Sequence, residues 1–427
     1  MQAIIICGGY GTRLNKLYKN TPKALIKFKK KPNLDYIIEG LEKNNITDYL
    51  FLTKHLNKKI INFIKRKKIK KAKILQDKHL SGTGGALIES IPFLKKEFLV
   101  IYGDLFINFN YNRFIKFSKN KKAHVCIAVH ANSHPYDSDT VEYDNNFKVT
   151  NIISKNTKKY KPNNSIAGIF YFKKKFLFLD NAGQHKTIDI VKNLLKKKIN
   201  NKIYAYKTLD YVKDFGTPNR INLIKKEVKK KFIDYNLKKC AVFLDRDGVI
   251  NKEIGGVTKL NQFKVLDNVG KAINLLNSNN IPCFIVSNQA LIAKGLLKIS
   301  ILKKINSLLD LYLSKFNAYI DDFLICPNFN NKKNIKKNIS FFWKDRKPHP
   351  GMVKELAKRH NINLKKSYFI GDSDLDILCG KKCGMKTILV DSPRNTKYIL
   401  NIKPNYYFLN LLEAVKKIIK NEKTYYN

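Results

Sequence analysis

Two open α/β sheets in tandem are what this sequence predicts, and three observations predict them. The chain has 427 residues, too many for one ordinary core and enough for two domains of roughly 200 residues each. Short apolar runs alternate with stretches of helical spacing up to about residue 225, and the rhythm restarts at residue 240. Between the two series lies a charged, helix-like connector, Lys225–Lys239, which puts the boundary near residue 232 and the domains at 1–231 and 232–427.

In the first series Ala3–Cys7, Tyr49–Thr53, Phe98–Tyr102, Val125–Val129 and Ile169–Phe172 read as strands, several of them apolar at every position and so buried on both faces. Leu34–Lys43 and Ile188–Lys197 have helical spacing. A new buried strand is expected at Cys240–Leu244. Val269–Leu276, Pro282–Ser287, Leu302–Leu313, Phe323–Cys326, Val353–His360, Tyr368–Gly371 and Thr387–Val390 continue the alternation. Asn328–Ser340, rich in Asn and Lys, is expected to be an exposed loop. Such sheets carry their active-site loops at the carboxyl ends of the strands.

No stretch approaches the roughly 20 apolar residues of a membrane span. The apolar opening, Met1 to Cys7, has no basic flank and runs straight into glycines, so it reads as a strand and not as a signal peptide. Seven cysteines without a Cys-x-x-Cys pair give no disulfide framework, and the cytoplasm is the expected location. Cys379 and Cys383 are taken as packing residues. The formal charge of +50 would suit a polyanion partner. Yet 75 of the 83 basic residues are Lys and only 8 are Arg, the residue that phosphate and base recognition favours. The chain is also rich in Asn, Ile, Tyr and Phe, whose codons share the A/T bias of Lys, so the charge is read as genomic composition. Neither a specific nucleic acid nor a membrane is expected as partner, and a homo-oligomer is left open.

The first strand leads into Gly8-Gly9-Tyr10-Gly11-Thr12-Arg13-Leu14. A turn of this kind lets backbone N–H groups approach phosphates closely, and Arg13 adds a planar cation. Thr21-Pro22-Lys23-Ala24-Leu25 supplies a second phosphate-directed cation. Taken together the two motifs resemble the sugar-1-phosphate nucleotidyltransferases, and the likeness extends over about 220 residues. The resemblance implies that Ser81-Gly82-Thr83-Gly84-Gly85-Ala86 approaches nucleobase and sugar. It implies that Asp104, after Gly103, and Asp214, in Asp-Phe-Gly-Thr-Pro, hold Mg²⁺, and that Lys155 and Gly168 meet the sugar phosphate. Two positions depart from the family pattern: Ser154 stands where an acid is usual beside the lysine, and Ile166 where Asn is common. The reaction makes no covalent demand on the protein. A sugar-phosphate oxygen attacks the α-phosphorus of a nucleoside triphosphate and pyrophosphate leaves, so positioning and charge neutralisation suffice.

The second half opens with Val242-Phe243-Leu244-Asp245-Arg246-Asp247-Gly248-Val249-Ile250-Asn251. Asp245 stands at the end of a buried strand, with a second aspartate, Asp247, two residues later and then Gly248. Ser287 and Asn288 end a strand, Arg346-Lys347-Pro348 provides a lysine, and Gly371-Asp372-Ser373-Asp374-Leu375-Asp376 provides carboxylates. In that order the four motifs resemble the haloacid dehalogenase (HAD) superfamily. More locally they resemble its heptose bisphosphate and histidinol phosphate phosphatases. The resemblance makes Asp245 the nucleophile and Asp247 the acid/base. Ser287 and Lys347 would stabilise the phosphoryl group, and Asn288 and Arg346 would bind substrate. Mg²⁺ would lie on Asp245, Asp372 and the Asp247 backbone carbonyl, with Asp376 a less secure ligand. Only 42 residues separate Asp245 from Ser287, too few for a large cap domain. Members often carry a zinc loop of three Cys and one His; here Cys326-Pro327 is kept but Phe341-Phe342-Trp343-Lys344-Asp345 replaces the later ligands, so no zinc is expected.

The two resemblances imply two Rossmann-like domains, a mixed nucleotidyltransferase sheet followed by a capless, doubly wound HAD-like sheet. The substrates implied are small sugar phosphates and a nucleoside triphosphate. The resemblances imply a heptose bisphosphate that loses its C7 phosphate and is then activated with GTP to give a GDP-heptose for surface polysaccharide, which joins both halves. The alternatives are a mannose-type hexose-1-phosphate nucleotidyltransferase fused to a phosphatase of other specificity, and a basic nucleic-acid-binding scaffold built on degenerate enzyme folds.

Overall fold

The computed structural model describes all residues except 10, 77–81, 156, 158–159, 179–186, 230–236, 328–344, 393–401 and 427. Outside the described residues lie Tyr10, Ser81, the expected boundary at 232, the expected loop Asn328–Ser340 and residues 341–344. The chain forms two compact units. One comprises Met1–His130, Asp139–Lys155 and Asn164–Asn236, the other Ala131–Ser138, Asn156–Asn163 and Leu237–Asn427.

The strands of the first unit are β1 (Gln2–Ile6), β2 (Lys27–Phe28), β3 (Lys31–Pro32), β4 (Asp48–Thr53), β5 (Ala72–Gln76), β6 (Glu97–Tyr102) and β7 (Leu105–Asn108), then β8 (Val125–His130), β9 (Thr140–Tyr143), β10 (Val149–Ile153), β11 (Ser165–Lys173), β12 (Ile203–Lys207) and β13 (Tyr211–Asp214). Nine of them make one mixed sheet in the order β10-β9-β11-β6-β1-β4-β5, with β8 joining β11 to β12; β2 pairs with β3 and β7 with β13. β6, β1, β4 and β5 run parallel, whereas β11 is antiparallel to both β6 and β8. The continuous apolar runs follow from burial on two sides. Ala3 and Ile5 enter one core and Ile4 the other; Leu99 and Ile101 pack with the first, Phe98 and Val100 with the second. Each of the Ile, Leu, Val and Phe side chains among them contributes about 1.5–3 kcal/mol by leaving water. The helical segment expected at Ile188–Lys197 is a π-helix, Ile190–Leu195, whose first N–H groups, on Val191 and Lys192, donate to the Asp189 carboxylate.

The second unit has β14 (Val242–Leu244), β15 (Cys283–Asn288), β16 (Asp322–Cys326), β17 (Tyr368–Gly371), β18 (Lys386–Val390) and β19 (Tyr406–Phe408) in one all-parallel sheet, ordered β16-β15-β14-β17-β18-β19. Helices Val269–Ser278, Ile299–Ser314, Gly351–His360 and Leu411–Tyr426 accompany it. The central strand β14 lies between β15 and β17, so the chain leaves three neighbouring strands, at Asp245, Ser287 and Asp372, on one edge of the sheet. No helix among the described residues is long and apolar enough to cross a membrane.

Candidate active sites

In the first unit the turn after β1 bends at Gly11, with φ +65°, into a 3-10 turn, Thr12–Leu14. A Cβ at Gly11 would come within 3.4 Å of the Lys23 side chain, so the loop lies on the lysine stem. Gly8 is half-buried and Gly9 exposed. Lys23 extends to Asp104, Nζ to Oδ2 3.0 Å. Asp104 occupies the two-residue turn between β6 and β7, where the neighbouring strand end is close: the Gly103 N–H donates to the Ile6 carbonyl at 2.9 Å. β13 runs beside β7 so that Asp214 faces Leu105, and the Phe215 N–H donates to the Asp104 carbonyl at 3.3 Å. This ladder sets Asp104 and Asp214 side by side although 110 residues of sequence separate them. Arg13 comes near Asp214 at Gly216, where a Cβ would fall 2.8 Å from Arg13 Nη2 and 3.4 Å from Asp214 Oδ1.

Arg220, which the motifs did not mark, donates from Nη1 to both oxygens of Asp214 at 2.6 Å. Two carboxylates at adjoining strand ends form a hard oxygen donor set that fits Mg²⁺, and Lys23 and Arg220 are the charges now balancing them. Cys7 lies within their field. Burial, and after it the charge of Asp104, pushes its thiol up to about 12, so it stays protonated.

The remaining residues of this unit divide by what their atoms touch. Gly82 and Gly84 are required by packing, since a Cβ on either would strike Ile188, at 2.4 Å from its carbonyl oxygen for Gly82 and 2.8 Å from its side chain for Gly84. The Gly84 N–H donates to that same carbonyl, and the Thr83 hydroxyl donates to Asp189 Oδ2 at 3.2 Å. Gly168 has φ +76°, and a Cβ there would fall 2.9 Å from Leu105 and 3.0 Å from Tyr102, which flank the Asp104 turn. Lys155 is exposed, and its backbone N–H donates to Asp139, whose own carbonyl accepts from Ile166 N–H. Asp139, Asp189 and Arg220 escaped the sequence reading. The clue for Arg220 was scarcity, because an Arg kept among so many lysines calls for a reason.

In the second unit Asp245 follows β14, its N–H donating to the Ile370 carbonyl at 3.0 Å. Asp245, Asp372 and Asp376 bring ligand oxygens within 4.8 Å of one another. The buried Lys347 ammonium lies 2.9 Å from Asp245 Oδ2 and 2.6 Å from Asp376 Oδ1. Burial, partly countered by Lys347, raises the Asp245 carboxyl to about 7. Burial and the charge of Asp376 raise Asp372 to about 6. One lysine among three carboxylates leaves negative charge in a poorly solvated place, and an oxygen-liganded divalent cation fits that donor set. Asp372 takes a hydrogen bond from Ser392 Oγ at 2.9 Å. Asp376 is held at both oxygens, by Lys347 on Oδ1 and by Ser373 N–H and Oγ on Oδ2, as counter-charge and helix cap.

Asp247 sits in a clamp of donors. Arg246 Nη2 reaches both its oxygens at 2.9 Å, Asn251 Nδ2 is at 2.9 Å and Gln289 Nε2 at 2.8 Å. Burial opposes ionisation, but Arg246 and these amides outweigh it and hold the carboxyl below its usual range. Ser287 is buried and accepts from Gln289 at 2.9 Å. Asn288 faces Lys347: its Nδ2 donates to the Lys347 carbonyl at 3.1 Å, and the Lys347 N–H donates to its Oδ1 at 3.0 Å. The amide expected on substrate is thus spent on placing the lysine. Arg346 is half-buried one residue earlier.

With these geometries in place the comparisons fall into the same two halves. The nucleotidyl transferase family model matches residues 2–231, and a HAD-hydrolase-like model matches 345–414. The chain belongs to the nucleotidyl transferase family and joins that transferase to a HAD-like hydrolase domain. Among its relatives, the D-glycero-alpha-D-manno-heptose 1-phosphate guanylyltransferase of Campylobacter jejuni is 32% identical over 222 residues, 51% of this chain and 96% of that one. The D-glycero-D-manno-heptose-1,7-bisphosphate 7-phosphatase of Chlorobaculum tepidum is 30% identical over 193 residues, 43% of this chain and 96% of that one. The bifunctional protein GlmU of Methanocaldococcus jannaschii is 31% identical over 227 residues, 51% of this chain. The chain spans about half the length of that relative, 52%.

Proposed function

We propose that the chain removes the C7 phosphate of a D-glycero-D-manno-heptose 1,7-bisphosphate in domain 232–427, and in domain 1–231 transfers GMP from GTP to the resulting heptose 1-phosphate. One observation carries this reading: the two halves resemble enzymes whose reactions are consecutive, the product of the 7-phosphatase being the sugar 1-phosphate that the guanylyltransferase is named for.

At the second site Asp245 attacks phosphorus and the bond from phosphorus to the sugar oxygen breaks. Lys347 and Ser287 take the charge on the phosphoryl oxygens, Asn288 holds the Lys347 backbone in place, and Arg346 lies on the substrate side. Asp247, held as a carboxylate by Arg246, Asn251 and Gln289, is suited to deprotonate the water that hydrolyses the aspartyl phosphate. To protonate the leaving oxygen first, Asp247 must take a proton from solvent, which displacement of one of those donors by substrate would favour; it returns to the carboxylate once that proton is given to the sugar oxygen. At the first site the heptose phosphate oxygen attacks the α-phosphorus of GTP and pyrophosphate leaves. The loop at Gly8, Gly9, Gly11 and Thr12 cradles the phosphates while Arg13 and Lys23 neutralise them; Gly82, Thr83 and Gly84 border the nucleoside, and Lys155 and Gly168 the sugar phosphate. Bound Mg²⁺ supplies charge neutralisation and orientation of the phosphates. Asp104 and Asp214 would hold it at the first site, and Asp245, Asp372 and the Asp247 carbonyl at the second. No zinc is invoked.

Heptose 1-phosphate offered with GTP, ATP, CTP or UTP tests the nucleotide choice, read as sugar nucleotide by mass spectrometry. GDP-heptose as main product supports the reading. Turnover of mannose 1-phosphate in preference to the heptose would replace it with the hexose alternative.

A further inference from the structure

We propose that Asn33 is a positioning residue of the nucleotidyl-transfer site, fixing the turn that presents Asp104 to a divalent cation. The inference rests on Asp104 being a metal ligand. Asn33 opens the helix Asn33–Glu42 and is fully buried, on an element whose other inward side chains include Leu34, Ile37, Ile38 and Leu41. Its Nδ2 donates to the Gly103 carbonyl at 3.1 Å and to the Leu105 carbonyl at 2.9 Å, one on each side of Asp104 and some 70 residues away in sequence. Its own N–H is tied to the Ile26 carbonyl at 2.9 Å, so the amide is anchored at its root.

Further backbone restraints on the turn come from β1, through Gly103 N–H to Ile6, and from the stretch after β13, through Phe215 N–H to the Asp104 carbonyl. Among the described residues, Asn33 is the one side chain shown bonding to the backbone on both sides of the aspartate. Without it the peptides at 103 and 105 can rotate, and the carboxylate direction rotates with them. Its Oδ1 is buried with no hydrogen-bond partner. An unpaired buried acceptor is a cost that an apolar side chain in this helix would avoid. The amide is therefore retained for what its nitrogen does.

The test uses the full chain carrying Asp245→Asn and Asp372→Asn, to suppress metal binding at the second site, and follows binding of Mn²⁺ alone by electron paramagnetic resonance. Asn33→Leu should weaken Mn²⁺ binding about tenfold or more, the usual effect of losing a group that orients a ligand, with a cooperative melt retained. Asn33→Ala gives the same reading if the leucine variant does not fold. Unchanged Mn²⁺ affinity with a lowered melting temperature would show a purely structural asparagine and overturn the inference. If the parent binds no Mn²⁺ that Asp104→Asn abolishes, Asp104 is not a ligand, and the metal assignment falls together with the inference. Loss on Asp104→Asn but not on Asn33→Leu or Asn33→Ala brings down the inference alone.

Discussion

Gly248 offers a test of the second site in which a single methyl group does the work. The residue has φ +81°, and a Cβ there would lie 1.9 Å from Asp372 Oδ2 and 2.4 Å from its Cγ. Non-bonded heavy atoms settle about 3.5 Å apart, so in Gly248→Ala the carboxylate must retreat by roughly 1.5 Å. Because Cγ is also struck, turning the end of the side chain does not relieve the contact. A displacement of about 1 Å in a catalytic constellation costs on the order of a hundredfold in rate. The left-handed backbone adds about 1–2 kcal/mol of strain, a loss a domain of this size tolerates. Phosphate release from heptose 1,7-bisphosphate, measured with excess Mg²⁺, should therefore fall on the order of a hundredfold. Nucleotidyl transfer to heptose 1-phosphate by the same sample should persist and serves as control for folding. Phosphate release within threefold of the unaltered chain, with the variant folded, would refute the placement of Asp372 in the reaction.

Two further outcomes are expected. Asn288→Ala removes both hydrogen bonds to the Lys347 backbone and should lower kcat of the phosphatase about tenfold or more with little change in KM; a rise in KM alone would show that the amide binds substrate instead. Asp245 and Asp372 have carboxyls raised to about 7 and about 6 from an ordinary 3.8. The folded chain therefore holds protons that the unfolded chain has released, and stability drains away as pH rises from about 4 to 7. Melting with a chelator present should show that loss, with Mg²⁺ stabilising more at pH 8 than at pH 5. An Asp245→Asn/Asp372→Asn chain that keeps the same pH slope would contradict the assignment.

How much was legible in the sequence follows from the range of each interaction. The strands stood out because Ala3 to Ile5 and Phe98 to Ile101 alternate between the cores on the two faces of a sheet, which forces unbroken apolar runs. Asp245 and Lys347 each stand in a motif of the sequence, and the fold brings them within 2.9 Å of one another. Asn33 and Asn288 were not legible: one was unmarked and the other given to the substrate, since an asparagine amide can serve any carbonyl and its partners lie 70 and 59 residues away. Gly82 and Gly84 were read as ligand glycines, yet the contact that demands them comes from Ile188, far along the chain. The π-helix at Ile190–Leu195 has the spacing of any helix, and its opening N–H groups are taken up by Asp189 and Thr83. Ser392 carries no motif and meets Asp372 only through the fold.

The central claim is that one chain performs two consecutive steps, and Asp245→Asn separates them most directly. Supplied with heptose 1,7-bisphosphate, GTP and Mg²⁺, this variant should form no GDP-heptose, and it should form GDP-heptose at the rate of the unaltered chain once heptose 1-phosphate is added. GDP-heptose formed from the bisphosphate by the variant, or no product from the 1-phosphate by the unaltered chain, would contradict the account.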